Sequence, residues 1–140
     1  MRRKLILTAG VLATAGTVTL GTAGAASAKE SFTLTAGHKT VHPRGAVAFQ
    51  MAAASDSAGE HLSGLRFCLQ RSAGKAKFTT VKCTTQSHWS RKDKAQVYTL
   101  GYRFGTKKGA YTFRGVVQSR DRHHHWNHTY KTSSVVVHVK

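Results

Sequence analysis

The chain has 140 residues, with 22 Lys and Arg against five Asp and Glu, nine His and two Cys. That length fits one domain. A formal charge of +17 repels itself in the folded state and draws anionic polymers rather than cationic ones.

The first elements read as an export leader. Arg2, Arg3 and Lys4 make a positive start, residues 5–20 are mostly apolar, and Ala26-Ser27-Ala28 supplies the small residues that a signal peptidase needs. The expected mature chain therefore begins at Lys29, is secreted, and keeps 19 Lys and Arg against five acids, a formal +14. Thr8, Gly10, Thr14, Gly16, Thr17 and Thr19 interrupt the apolar part, so it does not read as a membrane span. No later stretch is long and apolar enough to be a transmembrane segment.

After residue 28 the apolar residues recur with period two, broken by Gly, Ser, Lys and Asp clusters. Seven strands are expected, at 31–36, 46–53, 65–71, 78–84, 96–104, 110–119 and 133–140. Phe32/Leu34, Val47/Phe49/Met51 and Leu65/Phe67/Leu69 each place apolar groups on one face. Tyr98/Leu100/Tyr102/Phe104, Tyr111/Phe113 with Val117, and Val135/Val137/Val139 do the same. The alanines of 46–54 also suit a short helix, but Val47 and Phe49 favour a strand. Seven strands in a chain of this size point to an all-β fold, a sandwich of two antiparallel sheets.

The pieces Gly45-Ala46-Val47-Ala48-Phe49, Leu65-Arg66-Phe67-Cys68-Leu69-Gln70, Gly109-Ala110-Tyr111-Thr112-Phe113-Arg114 and Ser134-Val135-Val136-Val137-His138-Val139 suit the second, third, sixth and closing strands of such a sandwich. In these the chain resembles a bacterial immunoglobulin-like β-sandwich domain of secreted actinobacterial proteins. It departs from antibody-type domains in having no Cys in the second or sixth strand and no core Trp in the third. The resemblance implies a spacer or binding module rather than an enzyme.

Cys68 and Cys83 are an even pair in a chain read as exported, so a disulfide is expected. A symmetric hairpin with Lys75-Ala76 at its tip sets Cys68 opposite Cys83, Gln70 opposite Val81 and Gly74 opposite Lys77. Directly opposite residues of an antiparallel pair can reach bonding distance. Leu65, Phe67 and Leu69 face inward, so the bond belongs on the outer face of its sheet.

If successive strands alternate in direction, the second, fourth and sixth connections share one end. His61, His88, His123, His124, His125 and His128, both tryptophans, and Asp56, Glu60, Asp93 and Asp121 all fall there. Trp89 with Arg91 and Lys92, and Trp126 with Arg120 and Arg122, suggest flat stacking surfaces flanked by cations for an acidic ligand; the plainer alternative is that each indole caps the core. The partner expected on this reading is an anionic polysaccharide, teichoic acid or other polyanion, and nucleic acid is not specifically indicated because no motif for it is present. Cationic surface that merely keeps the protein soluble is the bland alternative. Arg66, Arg103 and Arg114 at outward positions suggest a basic stripe or a solvated face.

His123, His125 and His128 raise a second possibility, a Zn or Cu site, because imidazole nitrogen ligates both metals. Against it, no carboxylate stands at a spacing that would orient the imidazoles. Arg120, Arg122 and Lys131 also repel a dication, each by about 1 kcal/mol at ~7 Å in water. Weak incidental metal affinity and a pH-sensitive cationic patch are the alternatives. Catalysis is not expected: no Gly-x-Ser-x-Gly elbow occurs, no carboxylate pair has a set separation, and no Gly-rich loop opens a helix.

Overall fold

The computed structural model describes residues 30–56 and 61–140, apart from the side chains of His128 and Thr129. The leader at 1–28 and Glu60 lie outside the described residues. The strands are β1 (Glu30–Ala36), β2 (Thr40–Val41), β3 (Ala46–Ser55), β4 (Arg66–Ala73), β5 (Thr79–Thr84), β6 (His88–Ser90), β7 (Ala95–Arg103), β8 (Gly109–Arg120), β9 (Trp126–Lys131) and β10 (Val135–Val139). They form two sheets, β1-β3-β7-β6 and β2-β10-β8-β4-β5, with β9 on β8. All pairs are antiparallel except β2 with β10.

The seven expected strands are all present, and the period-two faces meet between the sheets. Phe49, Met51, Phe67, Leu69, Tyr98, Phe113, Val117 and Val137 are wholly buried there. The alanine-rich 46–54 segment is a strand, β3, bonded on both edges to β1 and β7. Its Val47, Phe49, Met51 and Ala53 fill the core, while Ala48 and Gln50 face out. Lateral pairing and a half-buried surface outweigh the helical preference of alanine.

Three short strands, β2, β6 and β9, were not expected. None adds a reversal. β2 runs parallel to β10; β6 and β5 are antiparallel to β7 and β4, which both run the same way; β9 and β10 both oppose β8. Each continues the direction of a neighbouring strand while the chain shifts sheet or steps along an edge. Asp56, residues 61–65 and the turns at 91–94 and 121–125 therefore still share one end, and the turns at 42–45, 74–78 and 104–108 the other.

Cys68 pairs with Cys83 in register and is bonded to it. The rest of the hairpin differs from the symmetric expectation. Gln70 faces Thr80, and the register shifts next to Leu69. Val81 is the extra residue of this bulge, half-buried against the core. The tip closes with Ala76 N–H donating to Ala73 O at 3.1 Å, and Gly74 takes φ +61°, a conformation open to glycine. A bulge that sinks Val81 buries apolar surface that a flush ladder would leave out.

β8 is the spine of the second sheet. β4 pairs with it from Tyr111 to Gln118 on one side; β10 and then β9 share the other. Where those two meet, Thr132 N–H donates to Gly115 O, and Gly115 N–H donates to Thr132 Oγ1 at 2.8 Å. The side chain thus satisfies the backbone group that the broken ladder leaves over.

Candidate ligand-facing surface

The end holding Asp56, 61–65, 91–94 and 121–125 gathers most of the residues singled out above, but it splits them between the two sheets. Trp89, Arg91 and Lys92 belong to β6 and the turn after it. Trp126, Arg120 and Arg122 belong to β8, β9 and the turn between them.

Trp89 pairs with Gln96, whose neighbour two residues on is the buried Tyr98, so its ring turns toward the interior. It stacks on His61 with centroids 3.8 Å apart and planes at 10°. This is the capping arrangement: a half-buried indole closing the end of the core beneath the β3–β4 turn. Tyr98 holds that turn from below, its hydroxyl donating to Leu62 O at 2.7 Å and accepting from Leu65 N–H at 3.2 Å. Arg91 and Lys92 are exposed in a turn tied by Asp93, whose Oδ2 accepts from Ser90 Oγ at 3.1 Å.

Trp126 opens β9 opposite Arg120, on the outer face of the second sheet. The Arg120 guanidinium carbon lies 4.8 Å from the centre of its ring and that of Arg66 lies 5.0 Å away. Arg66 is held by Nε donating to Gln118 Oε1 at 2.7 Å. Among the described residues neither arginine pairs with a carboxylate. Gly64 and Thr85 join Arg120 and Trp126 around a depression of about 290 Å³. Next to it Arg66, Cys83, Thr84, Thr85 and Gln86 line another of about 320 Å³. Thr85 is common to both.

Farther along the same face Arg114 donates from Nε to Gln70 Oε1 at 2.8 Å, and its guanidinium sits 4.0 Å from the centre of Phe78. The stripe of Arg66, Arg103 and Arg114 thus has two members. Arg103 stands on the first sheet, donating from Nη1 to Arg44 O at 2.7 Å. A depression of about 500 Å³ also lies on the first sheet and is lined by small uncharged side chains such as Ser31, Thr33, Gln50 and Ala52, with Asp93 at its rim. It offers no cation to an acidic ligand.

The histidine run is wound around one carboxylate. Asp121 Oδ1 accepts from His123 N–H at 2.8 Å and His125 N–H at 2.9 Å, and Oδ2 accepts from Asn127 Nδ2 at 3.2 Å. The His125 N–H bond does most to hold the Asp121 carboxyl below its usual 3.8; desolvation opposes this, and Asn127 and His123 N–H add to the lowering. His124 takes φ +64°, and the rings of His123 and His125 stand 6.3 Å apart. Contrary to the expectation of no positioned carboxylate, Asp121 Oδ2 lies 3.9 Å from His125 Nδ1. Among the described residues no three His, Cys, Asp or Glu are grouped to hold a metal ion. The side chain of His128 lies outside the described residues.

The grip of Arg66 and Arg120 on Trp126 escapes sequence reasoning, which placed Arg66 outward but gave no sign that a residue 60 positions away shares its face. No protein-family model matches the chain, and no curated protein matches it.

Proposed function

We propose that the chain is a secreted, non-catalytic binding module of immunoglobulin-like type that holds a linear polyanion bearing a phosphate or sulfate on each repeat. The strand order β1-β3-β7-β6 against β2-β10-β8-β4-β5, with the chain changing sheets at β2 and β6, supports the immunoglobulin-like reading. The observation that carries the binding reading is the pair of guanidiniums, Arg66 and Arg120, that lie on the ring of Trp126 with no carboxylate partner among the described residues. An indole face attracts guanidinium and limits its rotation, so the forks are ordered before a ligand arrives. Ordered guanidinium forks match tetrahedral oxyanions with two parallel hydrogen bonds. On this reading Trp126 positions the cations rather than stacking on a sugar.

The test is retention of the mature chain on heparin and on polyphosphate across a salt series. Affinity should fall steeply as salt rises, and Arg66→Gln/Arg120→Gln should lower the slope of log K against log salt by about two, one for each lost anion contact. Binding that is insensitive to salt, or identical in the double variant, refutes the proposal.

A second reading, a zinc- or copper-binding loop at His123, His125 and His128, draws on the neighbouring rings of His123 and His125 and on Asp121 beside His125. Calorimetric titration with either metal decides it: binding no tighter than that of a His123→Ala/His125→Ala variant eliminates it.

A further inference from the structure

We propose that the opposite end of the sandwich is a second polyanion-binding surface, so that one molecule bridges two polymer segments; this rests on the polyanion reading above. The described acids, Glu30, Asp56, Asp93 and Asp121, all stand at the end that holds Trp126. The turns at 42–45, 74–78 and 104–108 make up the other end, and among the described residues they bring no carboxylate to it. They bring Arg44, Lys75, Lys77, Lys107 and Lys108, with Lys140 tied alongside through its N–H to Val41 O at 2.9 Å.

The two lysine-bearing turns border one hollow. Ala73 and Gly74 from the hairpin, with Lys107, Lys108 and Tyr111 from the other turn and the start of β8, line a depression of about 390 Å³. Tyr111 pins the turn by donating its hydroxyl to Lys107 O at 2.8 Å. Below the rim, Arg71 lies between the rings of Tyr102 and Tyr111, its guanidinium carbon 5.8 and 5.7 Å from their centres. It donates from Nη1 to the Tyr102 hydroxyl, while its Nε is buried without a partner among the described residues. A fixed positive charge thus sits beneath a ring of exposed ones, and no Asp or Glu among the described residues belongs to these turns. Lysine acts as a point charge without a fork, so this end suits a flexible, densely charged chain rather than a single shaped ligand.

The two ends are far apart. β8 runs from Gly109 at the lysine end to Arg120 at the Trp126 end. At roughly 3.3 Å per residue that is about 36 Å, several times the ~8 Å screening length at physiological salt. Neither end feels the other's charge, so each can hold its own segment.

The experiment compares the wild-type mature chain with Lys75→Gln/Lys77→Gln/Lys107→Gln/Lys108→Gln and with Arg66→Gln/Arg120→Gln. Each is titrated with polyphosphate and heparin oligomers shorter than the distance between the ends, and each is mixed with long polymer while light scattering is recorded. The wild type should bind two oligomers and scatter strongly with long polymer. Each variant should bind one and lose the scattering. A lysine variant that still takes two oligomers and still cross-links overturns the second surface while leaving the Arg66–Arg120 site standing. A wild-type chain that binds neither oligomer removes both proposals. A difference between the polyphosphate and heparin arms identifies which oxyanion the lysine end accepts.

Discussion

Tyr98→Phe tests how the β3–β4 turn is held over the core. The ring is wholly buried, and its hydroxyl serves two backbone groups of that turn, Leu62 O and Leu65 N–H. Leu62 is itself buried, so the turn cannot swing into water to find replacements without exposing it. A net hydrogen bond contributes roughly 0.5–1.5 kcal/mol, so losing both should cost about 1–3 kcal/mol. For a chain of this size that lowers Tm by roughly 4–12 °C. Urea unfolding should show a lower midpoint with an unchanged m value. The same turn carries His61 and Gly64, so the fluorescence of Trp89 in the folded variant should shift. Tyr130→Phe is the control: its side chain is exposed and should change stability by less than about 0.5 kcal/mol. A Tyr98→Phe variant as stable as this control would show that the hydroxyl does not hold the turn.

Gly115→Ala should cost about 1–3 kcal/mol in thermal unfolding, because a Cβ there would stand 2.8 Å from Cε1 of the buried Phe67 and 3.0 Å from Thr132 Cγ2; wild-type stability would mean that the ring yields. Cys68→Ala/Cys83→Ala should lose about 3 kcal/mol in urea, the chain-entropy value for a closed loop of this length, and an unchanged midpoint would refute it. Asp121 has a folded pKa below its ordinary one, so its support of the 121–125 turn is present above pH 3.8 and lost as pH falls through the lower folded value. Amide exchange should show His123 and His125 still protected at pH 3.8 and released only at lower pH, as the carboxyl protonates in the folded chain, and unprotected throughout in Asp121→Ala; equal protection in the variant contradicts the assignment.

The core was legible because both faces of the sandwich keep strict alternation over five or more residues, as in Val47/Phe49/Met51 and Val135/Val137/Val139. The short strands were not. β2 and β6 are two and three residues long, too short to show a period, and β9 lay hidden in a run of Trp, Asn and His that reads as loop. The Val81 bulge was equally invisible, since it depends on how deeply a half-apolar edge strand settles. At the site, alternation correctly put Arg66 and Arg114 outward. It could not show that Trp89 turns in while Trp126 stays out, because that choice rests on pairing partners, Gln96 and Arg120, set by register. The cationic end was readable in principle from which turns lack acids, but histidine and tryptophan drew attention to the other one.

The order of the strands along the chain also dictates an order of assembly. β1, β3, β6 and β7 all precede residue 104, so the first sheet can form as soon as Arg103 is available. The second cannot, because the β4–β5 hairpin must wait for β8, which begins more than 30 residues after β4 ends, and Val135–Val139 closes last. A polypeptide growing from its N-terminus therefore carries one finished layer with its greasy side bare until nearly the whole length has emerged, which is the interval when sticking to neighbours is most dangerous.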